Sequence, residues 1–175
     1  AQGMKLLLDF PTVGEPHYAE AIPATLIEKN SLKIFKIEEN NHPYVCKSEK
    51  DARVVREGNK VHVYMTAIRS HFNPDNIEGI RMGDEVYFHI TNLEQDWDVP
   101  HGFAVKGASN AELLIMPGET QTLKWVPDRV GVQPIYCTDF CSALHQEMQG
   151  YARVSPAGSS TPLSWSTGKN SDAGV

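Results

Sequence analysis

The chain has no apolar run of about 18 residues, so no segment reads as a membrane-spanning helix. It has no cluster of lysine and arginine, and its formal net charge is -6. Nucleic acid and anionic membrane surfaces are therefore not expected as partners. No Ser-His-Asp set, no glycine-rich phosphate loop and no paired acid/base carboxylates stand out. Cysteine is scarce, and its count of three is odd, so the cysteines cannot all pair with one another. No signal peptide is visible and the first residue is not methionine, so the chain reads as an excised or processed piece. The missing leader then says nothing about compartment.

What is present concentrates in one stretch. Cys137, Cys141, His145 and Met148 follow the pattern C-x3-C-x3-H-x2-M and fall within twelve residues. Two thiolates, an imidazole and a thioether select a soft, redox-active metal, with copper the first candidate. Upstream, Asp98-Val99-Pro100-His101-Gly102-Phe103 passes from a polar, turn-prone run into an apolar one. That suits a histidine ligand delivered from a separate strand end.

At 175 residues the chain is long enough for one domain with a real core. Residues 1–50 differ from the rest. A short apolar strand is expected over 4–8, a short helix over 22–30 and a strand over 31–38, with Pro11, Gly14, Pro16 and Pro23 breaking the chain between them. From residue 60 the period becomes two. Val61, Val63, Met65 and Ala67 alternate with His62, Tyr64 and Thr66. Strand candidates follow at 77–82, 85–91, 102–106, 112–116, 120–126, 132–136 and 150–155, with Gly83-Asp84 read as a tight turn between the first two. Many short strands at regular spacing predict a β-sandwich or barrel. With a metal motif in the loop before the last of them, a cupredoxin-like Greek key is the expected form. The expected division is an irregular N-terminal extension over 1–50, the β-domain over 51–156 and a mobile Ser/Gly/Pro-rich tail over 157–175.

The motif resembles the CuA site, the dinuclear copper centre of the nitrous oxide reductase family and of cytochrome c oxidase subunit II. The runs D-V-P-H-G-F, E-L-L-I-M-P-G-E-T and Y-C-T-D-F-C-S-A-L-H-Q-E-M look like the reductase. The oxidase would more typically show H-S-F and a Glu between the cysteines, where this chain has Asp139. The resemblance implies that Cys137 and Cys141 bridge two coppers. His101 and Met148 would complete one ion; His145 and the backbone carbonyl of Asp139 would complete the other. Phe103, Phe140 and Leu144 would exclude water, and Asp98 would be the carboxylate partner of His101. Met4-Lys5-Leu6 followed by Gly14-Glu15-Pro16-His17 resembles the end of the reductase propeller. His17 then reads as an orphaned ligand of the four-copper CuZ cluster, whose other ligands are absent from this chain. The family implies a periplasmic protein that takes electrons from a cytochrome c or a small cupredoxin. It passes them to CuZ of a second subunit in a head-to-tail homodimer, where nitrous oxide is reduced to dinitrogen.

On the residues alone, other readings stay open. Cys137 and Cys141 could form a disulfide, which leaves the two histidines and Met148 unexplained. Cys137, Cys141, His145 and His101 would suit tetrahedral zinc, with Met148 as core filler. A mononuclear blue copper site needs only one cysteine. Cys46 reads as a free thiol; His42, His62, His71 and His89 read as surface or structural histidines. Trp97 reads as a packing residue close to His101.

Overall fold

The computed structural model describes residues 37, 40–96, 98–106 and 112–168. His17, Trp97, the strand at 4–8 and the helix at 22–30 lie outside the described residues, as does all but Ile37 of the strand at 31–38.

Alternation dictates the elements. In β2 (Lys60–Ile68), Val61, Val63, Met65 and Ala67 are fully buried while Lys60 faces water. The same logic builds β5 (Glu85–Asn92), β8 (Thr120–Trp125) and β9 (Gly131–Tyr136). The other long elements are β4 (Asn76–Arg81), β6 (His101–Val105), β7 (Glu112–Ile115) and β10 (Gln149–Ser155). Three short strands had no clear periodic signal: β1 (Arg53–Glu57), β3 (His71–Asn73) and β11 (Ser164–Ser166).

Among the described residues two open, mixed sheets result. One has the order β1-β2-β5-β8 with β3 beside β2; the other has the order β11-β4-β10-β9-β6-β7. β2 and β5 run parallel, as do β4 and β10. The inner faces meet in one core. Phe103 of β6 packs against Phe72 (5.5 Å between centroids) and Phe88 (5.1 Å) of the facing sheet.

The structure corrects three expectations. The Gly83-Asp84 turn does not close a hairpin: β4 lies in one sheet and β5 in the other. Asp84 is buried, accepts the Arg81 N–H and takes both Arg56 amino groups at 2.8 Å, which ties the turn to the end of β1 instead. The segment after residue 157 is not simply a loose tail. Ser164–Ser166 pair with β4, and the Asp75 carboxylate accepts the Gly168 N–H at 2.5 Å. Residues 40–50 belong to the β-domain, which therefore starts before residue 51. Asn40 donates to Gly118 O and Thr120 Oγ1, and the Cys46 N–H donates to Thr91 Oγ1.

Candidate metal centre

β6 opens at His101, β9 ends at Tyr136 and β10 begins at Gln149, all in the six-stranded sheet. The loop over 137–148 thus starts and ends on neighbouring strands. The Cys137 N–H donates to Met148 O at 3.0 Å, extending the β9–β10 ladder across the loop base. Within the loop, the His145 N–H donates to Ser142 O and the Met148 N–H to His145 O, forming a single 3-10 turn.

This framework brings the sequence-predicted ligands together. The Cys137 and Cys141 sulfurs lie 3.9 Å apart, and Asp139 O is 3.3 Å from Cys137 Sγ. His145 Nδ1 and Met148 Sδ each lie 3.9 Å from Cys141 Sγ. One atom each of His101, Cys137 and Cys141 falls within a mutual 4.8 Å. Cysteine sulfurs in a disulfide are about 2.0 Å apart, so these are two separate thiols. For metal–sulfur bonds of about 2.3 Å at a tetrahedral angle, two ligating sulfurs would sit about 3.8 Å apart.

His101 supplies the clearest sign of a cation site. It is fully buried, and its Nε2 meets Glu94 Oε1 at 3.0 Å. Its Nδ1 is buried with no hydrogen-bond partner. A histidine that hands one nitrogen to a carboxylate and leaves the other bare beside two thiols is oriented as a metal ligand. Met148 is 1% exposed and aims its sulfur at the same place. The donor set fits copper.

The titration behaviour follows from the crowding. Burial pushes the Cys137 thiol up, but the His101 ring and the surrounding backbone N–H groups outweigh it and hold Cys137 below its ordinary value. Burial and the neighbouring Cys137 thiolate push Cys141 up to about 12. Burial lowers His101, yet the Cys137 thiol and the Glu94 carboxylate beside it raise it overall. Without a cation, only one of the two thiols is comfortable as a thiolate.

Several residues depart from expectation. The carboxylate on His101 is Glu94; Asp98 is exposed. Glu94 also accepts the Arg69 N–H at 2.6 Å and faces the Arg69 guanidinium. Phe140 and Leu144 were expected to exclude water but are 77% and 60% exposed. They flank His145, with the Phe140 ring 6.0 Å from its imidazole. Phe103 is fully buried, packed against Phe72 and Phe88 in the core between the sheets. Gly102 was missed altogether. A Cβ there would collide with Thr138 Oγ1 and lie under 3.0 Å from the Thr138 and Asp139 backbone nitrogens, so the loop can close over β6 only at a glycine.

No family model matches the chain. Nitrous-oxide reductase from Stutzerimonas stutzeri is 36% identical over 165 residues, 88% of this chain and 25% of that protein. The Pseudomonas fluorescens reductase is 34% identical over the same length. The chain is a relative of the nitrous-oxide reductases. It spans about a quarter of the length of those relatives. Cytochrome c oxidase subunit 2 from Thermus thermophilus is 37% identical over 98 residues, 55% of this chain and 68% of that one. A chain of a heme-copper terminal oxidase dimer superposes with a TM-score of 0.53 at 19% identity, covering 88% of this chain and 95% of that chain. The fold is thereby a cupredoxin-like β-sandwich. No helix among the described residues is long and apolar enough to cross a membrane.

Proposed function

We propose that this chain is the electron-transfer domain of a nitrous-oxide reductase and holds a dinuclear CuA centre. The observation that carries the reading is the donor count. Six donors converge: two thiols, two imidazoles, one thioether and one backbone carbonyl. A single tetrahedral ion takes four. Two ions would take all six, with Cys137 and Cys141 available to both, His101 and Met148 holding one and His145 and Asp139 O holding the other. Zinc would leave Met148 Sδ and Asp139 O without a role.

When bound by Cys137 and Cys141, a copper pair would supply a one-electron carrier. The chain's own part is to keep its ligands still. Cys137 and Met148 are locked by the strand ladder, and His101 is fixed between Glu94 and the sheet. Ligands that do not move on electron transfer keep the energetic cost of each transfer small. Burial of His101, Cys137, Cys141 and Met148 keeps water off the sulfurs. His145 is only half-buried and sits between exposed Phe140 and Leu144, which suits a contact point for a donor.

In this reading the donor is a cytochrome c or a small cupredoxin, and the acceptor is the CuZ cluster in the propeller of a second, head-to-tail subunit. The setting is periplasmic. Copper loading followed by EPR tests the centre. The expected result is two coppers per chain with hyperfine coupling shared over both nuclei. A single copper with one nuclear coupling, or preferential retention of one zinc, overturns it.

A further inference from the structure

On the outer face of the five-stranded sheet, away from the strand ends that carry the thiols, lies a cavity of about 620 Å³. Its volume falls in the ordinary range for small-molecule sites, about 300–1,000 Å³. Outward-facing positions of β2 and β5 supply its floor: His62, Tyr64, Tyr87 and His89. His42 and Tyr44 from the preceding loop form a wall, and Glu57 and Lys60 line the rim of the β1–β2 turn.

The floor has an unusual order. His62 Nδ1 and His89 Nε2 are 2.9 Å apart, the ring centroids are 5.2 Å apart and the planes differ by 12°. That centroid separation equals the N···N distance plus one ring radius at each end. The contact axis must therefore run through both centroids, so the imidazoles lie edge to edge in one plane and share one hydrogen bond. They do not stack on each other. Together they make a flat floor two rings long. His89 is pinned further by Thr122 Oγ1 at 2.7 Å.

This floor is covered unevenly. Tyr44 lies face to face on His89 at 3.9 Å and 19°. Arg53 caps Tyr64 at 3.7 Å, and the Lys124 ammonium lies over Tyr87 at 5.7 Å. Over His62 the Tyr44 layer stops short, with centroids 6.2 Å apart and planes at 29°, and Tyr87 of the neighbouring strand lies nearly parallel to the imidazole at 5.1 Å and 13°. Among the described residues no cation lies over His62, and the cavity occupies that gap. Lys60 stands at its rim with no ion pair to a described residue. Lys124 pairs with Glu85 at 3.6 Å, which leaves Arg53, Lys60 and Glu57 as the charges around the gap.

We infer that this cavity is a binding site for a flat aromatic carboxylate, which stacks on His62 beside Tyr44 and sets its anionic edge against Lys60. The rings supply stacking area, and the lysine supplies orientation. The site is separate from the thiol loop and does not depend on which metal that loop holds.

The test is a titration of the full chain with 2-naphthoate, followed by NMR of labelled histidine rings, under ascorbate so that any copper is diamagnetic. For a ligand of this size, binding at about 1 mM is expected. The expected signature is a saturable upfield shift of the His62 ring protons. His62→Leu, which keeps an apolar filler without the ring, should lose binding. The neutral 2-naphthalenemethanol should bind about threefold more weakly, and Lys60→Gln should erase that difference. No saturable shift at His62 up to about 5 mM, shifts at other sites only, or unchanged binding to His62→Leu would overturn the proposal. Equal binding of the alcohol and the carboxylate to the parent chain would overturn the assigned ligand class.

Discussion

Gly102→Ala is the sharpest test of how the sheet builds the metal loop. The added methyl would run into Thr138 Oγ1 and sit 2.7 Å from Asp139 N and 2.8 Å from Thr138 N. The threonine hydroxyl can rotate away. The two backbone nitrogens cannot, and ordinary van der Waals contact begins at 3.4 Å, so the loop must back off by about 0.7 Å (3.4 minus 2.7). The loop holds Cys137 and the Asp139 carbonyl, and functional sites tolerate displacements of only about 0.5 Å. Overpacking of this kind costs about 1–3 kcal/mol. Thermal melting of the metal-free protein should show it, at about 2–4 °C per kcal/mol for a chain of this size.

Stability loss alone would prove little, so Gly58→Ala is the control. Gly58 has φ 63° with nothing within 4 Å of where a Cβ would stand, so alanine there costs about 1–2 kcal/mol through backbone strain and touches nothing. Both variants should melt earlier. Only Gly102→Ala should lose copper stoichiometry or shared hyperfine coupling. If Gly102→Ala binds two coppers with the parent spectrum, the close approach of β6 to the loop does not position the ligands, and the account of the site from backbone contact fails.

Glu94→Ala should weaken copper binding about 10- to 100-fold in a competition titration against a chelator, because His101 loses the group that fixes its ring. Asp98→Ala should change it little, since Asp98 is exposed. Met148→Leu should shift the reduction potential while two coppers stay bound; an unchanged potential in voltammetry would remove Met148 from the ligand set. Cys137→Ser should abolish the dinuclear spectrum. His89 gives the fold an acid limit. Burial first, then the charges of His62, His42 and Arg53, lower it from 6.5 to about 4 in the folded chain. The unfolded chain takes up that proton near 6.5, so the stabilisation is whole above about pH 6.5 and declines as the pH falls towards 4. The loss is at most about 3 kcal/mol. Denaturant titrations from pH 7 to 4 should show that decline, and His89→Gln should flatten it.

The parts of this molecule that sequence revealed are those whose physics is local. Alternation placed β2 to the residue, because burying one face of a strand fixes every second side chain. The ligand loop was legible because four donors at fixed spacing sit in twelve residues. The misreadings share a different origin. Gly83-Asp84 has the chemistry of a hairpin turn, but a bond from Arg56, 28 residues before Asp84, decides where the turn goes. Glu94, Asp96 and Asp98 are interchangeable as letters. Only the path of the chain from β5 into β6 selects the first of them for His101. Phe140 and Leu144 look like core residues, and it takes the loop's curvature to put them outside.

The same contrast bears on function. A cluster of ligands within one loop announces a metal, but the number of metals depends on donors the spacing does not rank. In the proposed pair Asp139 would count through its backbone carbonyl, and any residue at that position would offer the same oxygen. His101 would count only because β6 and β9 are neighbours, which brings it beside Cys137. Take away either contribution and the remaining donors suffice for a single tetrahedral ion. The case for a copper pair therefore rests less on the cysteines that advertise it than on an ordinary carbonyl and a histidine 36 residues upstream of Cys137.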